Sequence, residues 1–196
     1  ISKEINQEFI IYTSCLKRTI ITSQHFPQKK IHSRILNEIH AGICENMTND
    51  EIKEKYPDIS ESRRKDKLRF RYPEGESYVD LLERLRYFVL TVETHNKPIL
   101  IVAHNAIIRV LLGYYQSVKK EDIPHLDVEL GTVIKLTPNS VNYNMEKINL
   151  VKCEISTLYL FVYILFLNFQ SFLLILIFPD YIYNLFQHII DIISLL

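Results

Sequence analysis

The feature that most constrains the fold is the stretch from Pro98 to Tyr115, "PILIVAHNAIIRVLLGYY": an unbroken apolar run, then His104, then a second apolar run interrupted by one arginine. An apolar run of this kind, Ile99 to Ala103, reads as a strand buried on both faces. The following "NAIIRVLLGYY" is apolar almost all round, as a helix is when covered on most sides. A doubly buried strand that leads straight into such a helix is the signature of an α/β fold. His104 then falls at the carboxyl end of a central strand, where open α/β sheets bind ligands. The helix amino terminus behind it favours an anion. Arg109, one turn into the helix, can direct its guanidinium back towards the same crevice.

The flanking sequence continues the alternation. "FIIY" (Phe9 to Tyr12) reads as a strand, with Thr13 and Ser14 as caps for a helix through "LKRTIITSQ". Thr48 to Glu51 matches the capping box, opening a helix that must stop near Pro57. In "SYVDLLERLRYFVLTVE", Leu81, Leu85, Phe88 and Val92 recur at helical spacing and define one buried face. "GTVIKLTPNSVNYNMEKINL" predicts two further strands joined around Pro138 and Asn139. Together these elements predict a mostly parallel sheet covered by helices.

Composition narrows the function classes. With 196 residues, 47% of them hydrophobic, the chain can build one domain with a real core. All 23 Lys and Arg lie at or before Lys152 together with most of the acids, so the positive excess is too mild to point to nucleic acid. Cys15, Cys44 and Cys153 are odd in number and widely spaced, which fits small buried thiols in a reducing compartment. None of the seven histidines has metal-ligand spacing, and no metal is assigned. The chain begins at Ile1 rather than Met and shows no signal peptide, so a fragment is the expectation.

From Ile155 to Pro179 no residue is charged, and the run exceeds the roughly 20 residues of a bilayer span. Three readings stay open: a transmembrane anchor, a buried accessory helix, and noncoding sequence translated through a splice junction. Lys152 and Asp180 flank the run without a basic cluster, which argues against the anchor. The domain reading is therefore residues 1–152 as the folded part and residues 153–196 as an apolar, helical tail.

Several polar stretches resemble one family when taken in order. "TSCLKRTIIT" (Thr13 to Thr22), "LNEIHAG" (Leu36 to Gly42) and "IVAH" (Ile101 to His104) are similar to motifs of the histidine phosphatase superfamily. "RRKDKLRFRYPEGESY" (Arg63 to Tyr78) and "TVIKLTP" (Thr132 to Pro138) look like its fructose-2,6-bisphosphatases, the phosphatase halves of bifunctional enzymes with a 6-phosphofructo-2-kinase. Singly, each residue would be read as solvated surface or core; the joint order carries the resemblance.

The resemblance implies a phosphoglycerate mutase-like fold, a three-layer α/β sandwich with a mostly parallel sheet. It also implies a phosphohistidine intermediate formed at the 2-phosphate of fructose 2,6-bisphosphate. Glu38 matches the acid that protonates the leaving sugar oxygen. His104 and Arg18 match the groups that clamp the phosphoryl oxygens. Arg63, Lys67, Arg71, Tyr78, Asn105 and Arg109 match residues that hold the sugar and its second phosphate. A cytoplasmic, homodimeric parent follows from the same likeness.

Departures from the family pattern are equally legible. No Arg-His-Gly occurs in the chain, so the family's nucleophile is absent from these residues, and the sheet is expected to lack the strand that carries it. No P-loop occurs either; ATP would belong to a kinase domain absent here, and the fragment needs no cofactor. His40 stands where Asp is usual, Asn46 where Gly is common, Asn49 for a tyrosine, Asn105 for a glutamine and Gly131 for a histidine. Asn46 is a mild change because Asn tolerates left-handed backbone geometry.

Overall fold

A computed structural model describes residues 9–140, 142–149 and 173–177. The chain forms two compact units, one from Ile1–Arg34, Thr94–Ala103 and Glu129–Leu196, the other from Ile35–Glu93 and His104–Val128.

The first unit is built on a sheet of β1 (Ile10–Thr13), β2 (Lys30–His32), β3 (Ile99–Val102), β4 (Thr132–Pro138), β5 (Tyr143–Asn149) and β6 (Leu173–Ile177). Their order is β2-β1-β3-β6-β4-β5. The first four are mutually parallel, β4 runs antiparallel to β6, and β5 returns antiparallel to β4. All four residues of β3 are buried, as its apolar run predicts. Ile11, Leu100, Val102 and Val133 form a core cluster to which Phe9, Phe26 and Ile148 add. The α/β class and mostly parallel sheet are thus as expected.

Two local expectations need correction. Thr13 and Ser14 do not cap the first helix, α1 (Lys17–Ser23); its N-cap is Leu16. The strand runs one residue further than its apolar pattern, so Thr13 completes β1 and its Oγ1 pairs with His32 Nδ1 at 2.6 Å. Ser14 Oγ instead accepts from the Leu16 N–H at 3.1 Å, bracing the turn from outside.

The second correction concerns the tail. Leu173–Ile177 is a strand, not helix, and lies between β3 and β4 with Ile101 opposite Ile175 and Ile134 opposite Ile175 on the other side. The sheet expected to be incomplete is closed there by β6. The rest of the proposed tail, residues 153–172 and 178–196, lies outside the described residues. No helix among the described residues is long and apolar enough to cross a membrane.

The second unit carries α2 (Asn49–Lys55), α3 (Pro57–Lys65), α4 (Tyr78–Glu93) and α5 (Asn105–Tyr115). Thr48 and Glu51 form the predicted capping box, which ties off two N–H groups that the first turn leaves unpaired. α2 stops before Pro57, and Pro57 opens α3, where a missing N–H costs nothing. Leu81, Leu85, Phe88 and Val92 are all buried on α4. Cys44, Ile52 and Tyr72 make a separate small core, while Cys15 is exposed, against the reading of uniformly buried thiols.

Backbone strain in this unit is placed on suitable residues. Asn46 has φ 62°, the left-handed geometry its replacement of a common Gly requires. Gly42 has φ +55°, and a Cβ there would lie 1.7 Å from the Pro73 carbonyl oxygen. Both the conformation and the space exclude a side chain. Gly42→Ala is expected to destabilise by about 3 kcal/mol or more, combining φ strain with displaced backbone. Thermal unfolding of the variant checks this, and an unchanged midpoint would contradict it.

Candidate active site

Two residues beyond β3, His104 is the N-cap of α5; it is buried, in extended geometry, and its side chain makes no capping bond to the helix. A buried imidazole directly before a helix amino terminus is what the apolar-run reading requires. Asn105, the first residue of α5, donates from Nδ2 to the Val128 carbonyl at 3.2 Å. Its Oδ1 is buried with no hydrogen-bond partner among the described residues, an acceptor left for a donor from elsewhere. Further along α5, Arg109 Nε donates to the Leu126 carbonyl at 2.7 Å and Nη1 to the Tyr78 hydroxyl at 3.3 Å.

The basic run from Arg63 to Arg71 divides once folded. Arg64 and Lys65 pair with Glu61, and Arg69 with Asp66 and Glu121, all at exposed positions where such pairs add little. Arg71 is held by Asp80 at 2.5 Å, and Asp80 in turn accepts from Ser77 N–H and hydroxyl at the start of α4. Arg63 and Lys67 behave differently. The Arg63 guanidinium stands 5.8 Å from the Tyr72 ring centroid, a cation–π geometry. Lys67 Nζ donates to the Pro124 carbonyl at 2.7 Å.

Electrostatics joins these groups. Burial, and then the charges of Arg109 and Arg63, push the Lys67 ammonium down to about 8. Tyr78 is buried and its phenol is raised above the ordinary value, chiefly by burial; Arg109 opposes that, and the Glu38 carboxylate adds to it. Arg109 and Arg63 thus act on both Lys67 and Tyr78, and Glu38 acts on Tyr78. Glu38 sits in the loop between two short 3₁₀ turns, Arg34–Leu36 and Gly42–Cys44, and its Oε1 accepts from the Ile39 N–H at 3.0 Å.

Seven of the nine residues singled out in the sequence thus have a described place in the second unit beside the cation cluster or at the head of α5: Glu38, Arg63, Lys67, Tyr78, His104, Asn105 and Arg109. Arg71 belongs to the same unit but is engaged by Asp80. Arg18 lies on α1 in the first unit, exposed on that helix. Among the described residues no cluster of His, Cys, Asp or Glu is arranged to hold a metal ion. The sequence reading passed over Tyr72, Glu76 and Arg84. Only the tertiary fold brings Tyr72 to Arg63, and Glu76 and Arg84 to the Glu38 loop.

Two guanidiniums that act on both a buried phenol and a depressed ammonium, with a carboxyl in range of the phenol, suit a multiply charged anion that also has a proton to receive. Comparison with known proteins identifies the family and the fold. Over 142 residues the chain is 41% identical to a 6-phosphofructo-2-kinase/fructose-2,6-bisphosphatase of Gallus gallus, covering 72% of this chain and 30% of that protein. It is 38% identical over 157 residues to 6-phosphofructo-2-kinase/fructose-2,6-bisphosphatase 4 of Rattus norvegicus, covering 80% and 33%. The chain spans about a third of the length of these curated relatives. Among solved structures, it superposes on a putative alpha-ribazole-5'-P phosphatase of Escherichia coli with a TM-score of 0.63 at 18% identity, over 71% of this chain and 72% of that one. A mycobacterial glucosyl-3-phosphoglycerate phosphatase in complex with inorganic phosphate gives 0.61 at 19%, over 76% and 80%. These last two likenesses concern the fold. Residues 2–151 match the histidine phosphatase superfamily (branch 1), and the chain belongs to that family.

Proposed function

We propose that the chain is the phosphatase part of an enzyme acting on fructose 2,6-bisphosphate, able to bind that ligand but not to hydrolyse it with these 196 residues alone. The observation that carries the reading is the Arg63, Lys67 and Arg109 cluster. Keeping an ammonium half-buried beside two guanidiniums is unfavourable unless an anion repays it, and Lys67 is depressed first by that burial and then by the charges of Arg109 and Arg63.

Each residue then has a physical task. Arg63, Lys67 and Arg109 hold a phosphate, and the Tyr78 hydroxyl, already accepting from Arg109, fixes the angle of that guanidinium. The orphan Asn105 Oδ1 accepts from a ligand hydroxyl. His104, buried at the head of α5, holds the oxygens of the transferred phosphoryl group, where charge develops. Glu38 donates its proton to the sugar oxygen as the phosphorus–oxygen bond breaks. The phosphoryl group passes in that step to a histidine that this sequence does not contain, and water later releases it as inorganic phosphate.

Calorimetric titration with fructose 2,6-bisphosphate tests the binding half. Arg63→Ala or Lys67→Met is expected to weaken affinity at least tenfold, whereas Arg64→Ala, whose side chain is on a surface ion pair, leaves it within twofold. Equal losses for all three, or no binding, would dismiss the cluster as a phosphate site.

The pH dependence follows from Lys67. Below about 8 its ammonium is charged and attracts phosphate; as pH rises through that value the free protein loses the charge. Affinity is therefore expected to fall about tenfold between pH 7 and pH 9, with proton uptake on binding near pH 8. Because the folded ammonium is lowered relative to the unfolded chain, its burden on stability is full below about 8 and lifts as pH climbs towards the ordinary lysine range. Lys67→Met should abolish both the affinity slope and the proton uptake. A slope that persists in that variant would assign it to another group.

The missing Arg-His-Gly also favours a second reading, a noncatalytic phospho-sugar binder. The two part over turnover when an Arg-His-Gly strand is supplied: the enzyme reading expects hydrolysis that Glu38→Gln abolishes, and the binder reading expects none.

A further inference from the structure

Glu38 lies in a loop with no helix or long strand to hold it, yet an acid that must meet one oxygen of a bound sugar needs placement to a fraction of an ångström. The backbone on both sides of Glu38 is tied to a single ion pair. Arg84, in the second turn of α4, sends Nη1 to two carbonyl oxygens just before the acid, Ile35 at 2.9 Å and Asn37 at 3.0 Å. Its Nη2 meets Glu76 Oε2 at 3.0 Å. That same carboxylate oxygen accepts from the His40 N–H at 2.9 Å, just after the acid.

The lacing continues along the main chain. Glu76 N–H donates to the His40 carbonyl at 2.8 Å, and Ile43 N–H to the Pro73 carbonyl at 3.1 Å. Gly75 has no room for a Cβ, which would lie 2.4 Å from the His40 oxygen, so the two segments meet at backbone contact. Arg84 and Glu76 side chains are only 20% and 25% exposed, which sets them apart from the surface pairs of α3. A partly desolvated pair that reaches two carbonyls before Glu38 and an N–H after it is more than surface decoration.

We propose that the Arg84–Glu76 ion pair is the positioning device for the Glu38 carboxyl, an inference that rests on Glu38 being the acid of the reading above. The fork of Arg84 suits the task because it donates to carbonyls and carboxylate in fixed directions at once. Lysine carries a single nitrogen and cannot reproduce the span. Glu76 neutralises that guanidinium and also closes the far side of the loop.

The Ile39 amide reports on the acid directly, since it donates to Glu38 Oε1. In the full chain, labelled with nitrogen-15, its chemical shift is expected to follow the ionisation of Glu38, and Glu38→Gln should erase that titration. Arg84→Met is expected to cut the amplitude of the Ile39 titration at least twofold and to speed exchange of the His40 amide tenfold or more. Amides of α4 such as Leu81 and Leu85 should keep their protection, showing an intact helix. Arg84→Lys should restore part of both signals. Should Arg84→Met fail to fold, Glu76→Gln, which keeps the carbonyl contacts and loses the charge, is expected to give a smaller loss at the same two amides. Unchanged Ile39 and His40 signals in either folded variant would overturn the proposal. Failure of the acid itself has a separate signature: with an Arg-His-Gly strand supplied, Glu38→Gln would leave turnover intact while the amide effects of Arg84→Met persisted, and the pair would then hold a loop without a catalytic acid.

Discussion

Incubated with fructose 2,6-bisphosphate, the 196-residue chain is expected to release no inorganic phosphate above the uncatalysed background and to carry no acid-labile phosphate. The superfamily reaction passes through a phosphohistidine on an Arg-His-Gly motif, and that motif occurs nowhere in the sequence. In enzymes that work through a covalent intermediate, loss of the nucleophile costs on the order of 10⁶ in kcat, because the split of one hard step into two is lost altogether. His104 is not expected to substitute. It sits buried at the N-cap of α5, where the resemblance assigns it to the oxygens of the phosphoryl group rather than to phosphorus. The same sample should still bind the ligand through Arg63, Lys67 and Arg109, so silence in the activity assay and heat in the calorimeter are expected together. Acid-labile phosphate mapped to His104 would overturn the assignment of roles.

What the sequence revealed and what it hid follow from the same physics. The β3–His104–α5 unit was legible because a continuous apolar run ends sharply at a polar residue, and burial is the one property such a run reports well. The capping box at Thr48 and the stripe of Leu81, Leu85, Phe88 and Val92 were legible for the same local reason. α3 was not, because none of its residues is buried and an exposed helix has no apolar period to read. β2 is three residues long and lies at the sheet edge, so it too leaves no pattern.

At the candidate site the limit was different. Charge counting found the cations between Arg63 and Arg71 but could not sort them. Folding gives Arg64, Lys65 and Arg69 to acids on the surface and gathers Arg63 and Lys67 with Arg109 from another helix. Glu76 and Arg84 carried no signal at all, since their meaning lies in carbonyl oxygens and an N–H supplied by a loop about forty residues earlier.

Removal of everything after Lys152 is expected to abolish cooperative unfolding. A uniformly apolar run cannot be divided into strand and helix by periodicity, which is why the tail reads as a span or a helix in the sequence. In the structure Leu173–Ile177 occupies a central place in the sheet, parallel to β3 and antiparallel to β4. Without β6, two strand edges lose their partners at once. The β2-β1-β3 group ends at a buried strand with no neighbour, and the β4-β5 hairpin keeps pairing only within itself. A lone hairpin is marginal in water, and each backbone group left unpaired in a dry interior costs about 1–3 kcal/mol. Several such losses exceed the 5–15 kcal/mol that holds a typical domain together. The expected result is a truncated chain with a broad, shallow thermal transition and exposed apolar surface that binds a hydrophobic dye, beside a full chain that melts in one step. If the tail is instead translated noncoding sequence with no part in the fold, truncation leaves the midpoint and its sharpness unchanged. A sharp transition at the same temperature in the shortened chain would take β6 out of the sheet and return the central position to some other strand.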